Sequence, residues 1–284
     1  MNKKSAALLS IFSNTFLIIF KVIAGVLMGS ISVLSEAIHS GLDLVASIIA
    51  FLSIKQSIKP SDEKHPFGHG KFENVSGFVE AILIFIAAGI IIVEAAKKFI
   101  SPNEIVSLNA GIVVMLVSSV VNLIISSILF KIAKKEDSIA LEADALHLLT
   151  DVFTSFGVFI GLIVIKFTGL HIIDPIIAVI VAFLIIKASV DLTKRSFIDL
   201  VDTSLPQEDI EKIYSIVSDN TKVLGVHKLR TRKSGNTREI DFHIEVDESI
   251  SISCAHDISD NIEKLIKKEL PRSNVVIHID PKNN

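Results

Sequence analysis

The stretch AIHSGLD, residues 37–43, lies inside an apolar run from Ile31 to Ile54 that is long enough to cross a bilayer. Within it His39 and Asp43 stand one helical turn apart, at a depth where ionisable groups are costly and mark function. The stretch ALHLLTD, residues 145–151, repeats the spacing with His147 and Asp151 inside a second apolar run. Positions i and i+4 of a helix share one face, with Cβ atoms about 6 Å apart, so each pair offers two ligands in one direction. Two pairs brought face to face make a four-ligand cage. Imidazole nitrogen and carboxylate oxygen in a tetrahedral set suit Zn²⁺, which has no ligand-field preference and exchanges readily. A hydrogen bond between helices would account for one such pair. The repeat, with His and Asp in the same order, points instead to a shared site near mid-membrane, where transporters bind their cargo.

The rest of the composition agrees with a membrane chain. Half of the 284 residues are hydrophobic and the mean hydropathy is +0.59, too apolar for an ordinary soluble domain of this length. At roughly 20 apolar residues per crossing, six helices are expected, over residues 7–28, 31–57, 75–99, 107–131, 139–166 and 173–193. Asp174-Pro175 reads as an N-cap followed by proline at the first helical position of helix six. Lys3 and Lys4 precede the first run without a small-residue cleavage site, so a retained first span is expected rather than a removed signal peptide. Lys55, Lys59, Lys64, Lys71, Lys131, Lys134 and Lys135 follow helices two and four, against Lys97, Lys98 and Lys166 on the other side. This bias predicts that both termini are cytoplasmic.

From residue 206 the character changes. The segment 206–284 holds 12 of the 28 Lys/Arg and 14 of the 31 Asp/Glu, about a third of its residues against 21% for the chain, and reads as a separate domain behind a helical domain at 1–205. Its pattern gives a helix (PQEDIEKIYSIVSD, 206–219), a strand (VHKLRTR, 226–232) and a turn (KSGNT, 233–237). A second strand (REIDFHIEV, 238–246), a helix (CAHDISDNIEKLIKKEL, 254–270) and a last strand (NVVIHID, 274–280) follow. The order α-β-β-α-β suggests a sheet covered by two helices. A net charge of −3 gives no basic field for nucleic acid, and the single cysteine, Cys254, forms no internal disulfide.

Eight of the nine histidines fall into three groups. Beside the intramembrane pairs, the loop SDEKHPFGHGKFEN (61–74) carries Asp62, His65 and His69. Three ligands within eight residues can hold one metal, with Gly68 and Gly70 letting the backbone fold round it. The tail carries His227, His243, His256 and His278, with Asp280 two residues past His278 and so on the same strand face. Cys254, next but one to His256, is a further candidate thiolate. His171 is left over and reads as a surface residue. Asn14 and Asn122 read as helix–helix hydrogen bonders, and Lys21 and Glu80 as charges that snorkel or pair.

These markers, together with HPFGHGK (65–71), LRTRKSG (229–235), HIEV (243–246) and IHID (277–280), resemble the cation diffusion facilitator family, the bacterial divalent-metal efflux transporters of the ferrous-iron and zinc type, over nearly the whole chain. The resemblance implies a homodimer of six-helix protomers in the inner (plasma) membrane. Each protomer would exchange a divalent cation for protons and carry a metallochaperone-like cytoplasmic α/β domain that pairs and binds metal. By motif, His39, Asp43, His147 and Asp151 would form the transport site and Asp62, His65 and His69 the loop site. His227, His243, His256, His278 and Asp280 would form a two-metal cluster, and Lys71 and Asp202 would pair near the membrane–tail junction. Many bacterial relatives have aspartate at the first of these positions, whereas this chain has His39, similar to the zinc transporters of eukaryotes, and the softer nitrogen favours zinc over cadmium, iron or manganese. The expectation is a Zn²⁺/H⁺ antiporter working by alternating access, with zinc as cargo and regulatory ion and no organic cofactor. An intramembrane metalloenzyme would need an open zinc position and a general base, and no His-Glu-x-x-His motif occurs. A metal-sensing receptor without transport could use the same ligands, as could a transporter preferring Cd²⁺, Fe²⁺ or Mn²⁺.

Overall fold

In lipid a backbone must satisfy its own hydrogen bonds, and a run of twenty apolar residues does so as a helix. The computed structural model describes residues 1–28, 31–100, 108–168 and 172–282. Six long helices come first: α1 (Lys3–Met28), α2 (Ile31–Ser57), α3 (Lys71–Ile100), α4 (Leu108–Glu136), α5 (Ile139–Thr168) and α6 (Ile173–Leu200). Among the described residues α1 to α4 and α6 are long and apolar enough to cross a membrane. The equally long α5 carries Glu142, Asp144, His147 and Asp151 in its first half. Several helices outrun their apolar cores: α3 starts with Lys71 and Glu73, and α4 ends on Lys134, Lys135 and Glu136. A count of apolar residues marks only the part of a helix that lipid requires. Helix α6 begins at Ile173, so Asp174 and Pro175 fall within its first turn rather than at its cap. His171 lies outside the described residues.

Two apolar clusters explain why polar groups on α5 are enclosed. On one side Ala140, Leu141, Ala145 and Leu148 pack with Ala6 and Ala7 of α1, Ile54 of α2 and Leu129 of α4. On the other, Ala143 joins Ala81, Ile84 and Ala88 of α3 and Ile185 and Leu192 of α6. The many buried alanines let helices approach closely, as association in lipid requires. Large apolar side chains such as Phe12, Phe16, Ile86 and Phe183 point outward, the reverse of a water-soluble bundle.

The tail follows the order α7 (Gln207–Ser218), β1 (Gly225–Ser234), β2 (Thr237–Asp247), α8 (Ile252–Glu269) and β3 (Ser273–Lys282). Strand β2 is central, antiparallel to β1 and parallel to β3. A two-residue turn, Gly235-Asn236, joins β1 to β2, with Gly235 at φ +60°. Ser251 caps α8 by accepting from the Cys254 amide at 3.2 Å. Ile240, Phe242, Ile244 and Val246 face Ile258, Ile262 and Ile266 of α8 and Ile213 and Val217 of α7 in one core. The opposite face of the sheet is left to the polar residues between them. The chain divides into two compact units, Met1–Pro60 with Phe72–Phe197, and Ser61–Lys71 with Ile198–Asn284. The loop between α2 and α3 thus clusters with the tail rather than with the helices it joins.

Candidate metal centres

In the helical unit, α2 and α5 bring their polar faces together. His147 Nε2 lies 3.0 Å from Asp43 Oδ1, and His39 Nε2 lies 3.8 Å from Asp151 Oδ1. Each imidazole therefore meets the carboxylate of the other helix. Ligand atoms of His39, Asp43 and Asp151 all lie within 4.8 Å of one another, with His147 joined through Asp43. Asp43 is buried while the His39 side chain is 53% exposed, so the site has a dry side and an open one. The open side is a cavity of about 440 Å³ whose lining includes all four residues, Lys21, Glu94 and Asn122.

A second layer holds these ligands. Asn14 Nδ2 donates to Ser47 Oγ at 2.7 Å and to the Asp43 carbonyl at 3.4 Å, which ties α1 to α2 beside the site. Asn122 of α4 donates to Asp151 Oδ2 at 3.4 Å. Lys21 donates to Ser40 Oγ at 2.7 Å, setting a cation at the cavity wall where it offsets the carboxylates. The Nδ1 atom of His147 is buried without a hydrogen-bond partner. Metal ligation needs neutral imidazole and ionised carboxylate, and this group contains two imidazoles and two carboxyls.

The loop group is built differently. Asp62 Oδ1 accepts from the amides of Lys64 (3.0 Å) and His65 (2.7 Å), an aspartate turn that folds the loop onto its own side chain. His65 Nδ1 and His69 Nε2 each lie 3.3 Å from an Asp62 oxygen, and the two rings are 4.3 Å apart. Gly68, at φ +80°, makes the reversal between them. The His65 amide above all, with the His65 ring and the Lys64 amide, holds the Asp62 carboxyl below the usual range, so it is an ionised ligand at neutral pH. Lys71, at the end of this loop, donates to Asp202 at 2.7 Å, and Arg232 stands 3.4 Å from the other Asp202 oxygen while stacking over Phe67 at 4.4 Å.

On the open face of the sheet, strand register lines up three histidines. His227 pairs with His243, and His243 with His278. Their ring centroids are 5.2 and 4.5 Å apart. Asp280 lies 2.8 Å from His243, 3.1 Å from His227 and 3.2 Å from His278. The hydrogen bond from His243, then the charges of the three rings, hold its carboxyl below the usual range. Just past His227 the positive φ of Lys228, +52°, marks a bulge that shifts the β1 register by one residue. His256 is not drawn into this row. It sits exposed on α8, the helix covering the opposite face, 3.7 Å from Asp260. Cys254 packs against the apolar core and receives Lys222 Nζ at 3.7 Å.

Glu245 joins the row without having been singled out by sequence. It stands 3.5 Å from His227, and its signal was its place two residues past His243, on the same strand face. Asn122 makes the helix–helix hydrogen bond expected of it, from α4 to α5, and its partner is a carboxylate of the intramembrane group.

A cavity between apolar helices, lined by two histidines and two aspartates and joined to a histidine-bearing α/β domain, defines a membrane protein that handles divalent metal ions. Residues 7–201 match the family model described as the cation efflux transmembrane domain, and residues 205–282 match the cation efflux protein cytoplasmic domain. The chain belongs to this cation diffusion facilitator family of multi-pass metal efflux transporters. It is similar to the cation-efflux pump FieF of Shigella boydii, 30% identical over 97% of this chain and 92% of that one. It is likewise similar to protein p34 of Rickettsia prowazekii, 31% identical over 98% and 92%. Among solved structures, the metal-bound C-terminal domain of the CzcD transporter from Thermotoga maritima is 26% identical, covering 28% of this chain and 98% of its own, with a TM-score of 0.27.

Proposed function

We propose that the chain exports Zn²⁺ from the cytoplasm in exchange for protons, by alternating access around His39, Asp43, His147 and Asp151. The observation that carries this reading is the crossed pairing of α2 and α5, which sets two imidazoles against two carboxylates beside one cavity. Nitrogen ligands at two of four positions favour zinc over the harder Mn²⁺ and Fe²⁺. A histidine must lose its proton to bind metal, so ion and proton compete for the same nitrogen, and an imidazole with a reference pKa near 6.5 does so at physiological pH. The distribution of lysines along the chain supports cytoplasmic termini in a bacterial inner membrane. The tail is the surface through which two protomers pair. Metal on His227, His243, His278 and Asp280 reports cytosolic zinc to the transporter, and Asp62, His65 and His69 hold a second ion of that kind; His256, on the far side of the sheet, is left out of that cluster. The Lys71–Asp202 pair fastens the loop to the start of the tail.

The test is uptake of Zn²⁺, Cd²⁺, Fe²⁺ and Mn²⁺ into proteoliposomes with and without a pH gradient, by the wild type and by Asp151→Ala. The expected result is zinc-preferring, gradient-driven uptake that the substitution abolishes. Binding without flux would leave a receptor, and flux indifferent to the gradient would remove the proton exchange.

A further inference from the structure

Glu80 lies on α3 with no exposed surface. Its Oε1 accepts from Ser76 Oγ at 3.1 Å, one turn earlier on its own helix, and its Oε2 has no hydrogen-bond partner. The helices packed against α3 here are α5 and α6. Helix α5 contributes Asp144, the one titratable group that acts on Glu80 among the described residues. Among the described residues the polar groups that helix α6 brings nearby are hydroxyls, Ser189 on the Ala81 carbonyl at 2.6 Å and Ser196 beside Gly77. Asp144 is itself fully buried: Oδ1 accepts from Ser47 Oγ at 2.8 Å, and Oδ2 is unpartnered. Beyond it lie Asp43 and His147 of the intramembrane group.

Two carboxyls enclosed by apolar helices with no cation paired to either cannot both be ionised, because each charge would lose its hydration without a counter-ion. The cheapest neutralising partner is a proton. Position then decides whether that proton is fixed or mobile. Ile84, one turn along α3 from Glu80, lines the cavity that holds the four ligands, as do Ala87, Ala88 and Ile91. Glu80 is therefore one turn beyond the cavity lining, toward the end of α3 that joins the loop, in the section of the bundle that is closed here. A transporter that alternates must open this section to the cytoplasm in its other state. Water reaching Glu80 would then restore its hydration and release the proton.

Building on the proton exchange proposed above, we propose that Glu80 is a second proton-binding site of the transport cycle, distinct from the metal ligands. It carries a proton while the cytoplasmic side is closed, as here, and gives it up to cytoplasmic water on opening: the carboxylic O–H bond breaks, the carboxylate stays with the protein and the proton leaves. It takes up a proton again from the cavity, one turn away, once the cytoplasmic side has closed and the cavity has opened, so that each cycle carries that proton from the cavity to the cytoplasm. Asp144 lowers the chance of a bare carboxylate surviving closure, since a second negative charge beside it would be repelled.

Glu80→Gln tests this directly, because glutamine has the shape of the acid and stays neutral throughout. Metal uptake and proton counterflow are measured together in proteoliposomes carrying a zinc indicator and a pH dye. The expected result is one proton fewer per metal ion than in the wild type and a flatter pH profile of uptake. An unchanged ratio and profile would overturn the proposal, since glutamine would then serve as well and the proton would be only structural. Infrared difference spectra of the wild type and Glu80→Gln at neutral pH, without any gradient, give a readout independent of transport. A deuterium-sensitive carboxylic C=O band should be present in the first, absent from the second and retained in Asp144→Asn. No such band in the wild type overturns the proposal even if Glu80→Gln fails to fold. Should the wild type move zinc with no proton counterflow, the exchange itself falls, and the infrared band still decides whether Glu80 is protonated.

Discussion

Between α2 and α5 the histidine–carboxylate contacts cross from one helix to the other, at 3.0 and 3.8 Å, whereas in the tail three imidazoles stand in one row of a sheet around a single aspartate. The helical group depends on two rigid bodies meeting, so a shift of either helix changes its shape. The sheet group is set by backbone hydrogen bonds between adjacent strands and keeps its spacing as long as the strands stay paired. The same ligand types are thus mounted once on parts that can separate and once on parts that cannot. The first arrangement suits cargo that must be let go, and the second suits an ion that must stay.

Asp151→Ala breaks the comparison most sharply. Removal of one of the two aspartates of the four-residue group should lower zinc flux at least about 100-fold, more than loss of a residue that only supports a ligand, with the tail's metal binding unchanged. Flux in proteoliposomes and zinc titration of the same preparation check both halves. His243→Ala is the reverse case. It removes the middle ring of the row and the 2.8 Å contact with Asp280, so zinc affinity of the tail should fall on the order of 10- to 100-fold while the transport site persists. A flux loss as deep as that of Asp151→Ala would show that the two regions are not separable.

His39→Asp sharpens the comparison within the cavity. It exchanges one nitrogen for oxygen, so selectivity for Zn²⁺ over Mn²⁺ should drop by about tenfold, roughly 1.4 kcal/mol, and the pH dependence of uptake should shift to lower pH. Competition uptake at several pH values checks this. The smallest effect is expected from Asp202→Asn. The hydrogen bond and charge of Lys71, helped by Arg232, hold the Asp202 carboxyl below its ordinary value of 3.8. A carboxyl lowered on folding adds stability that is present above its unfolded value and is lost as pH falls through the folded one. The substitution should therefore lower the thermal midpoint at neutral pH by a degree or two, as expected of an exposed pair worth under about 1 kcal/mol. The two proteins should converge only as pH falls below 3.8 and through the lowered folded value.

The helices, and the order of elements in the tail, were legible because their signals are periodic: long apolar runs, alternation in REIDFHIEV, and a repeated His-x-x-x-Asp. What stayed hidden has no period. Glu80 and Asp144 belong to no repeated spacing, and nothing local says that α3 and α5 enclose both. Glu245 gains its role from the ring of His227 on the neighbouring strand. His256 shows the opposite limit, because grouping histidines by domain does not say which face of a sheet each occupies, and α8 lies on the side away from the row. The helix ends ran long because hydropathy marks where lipid begins, not where hydrogen bonding stops.

The row of histidines also makes the tail a proofreader of its own assembly. Side chains alternate along a strand, so sliding β3 by one residue against β2 would turn His278 and Asp280 into the apolar interior and raise Ile277 and Ile279 in their place. If the row holds metal as proposed, a mispaired sheet would hold none, and a correctly paired one would gain stability from each ion it captured. Metal supply would then select the native pairing during biogenesis, before any ion has crossed the membrane.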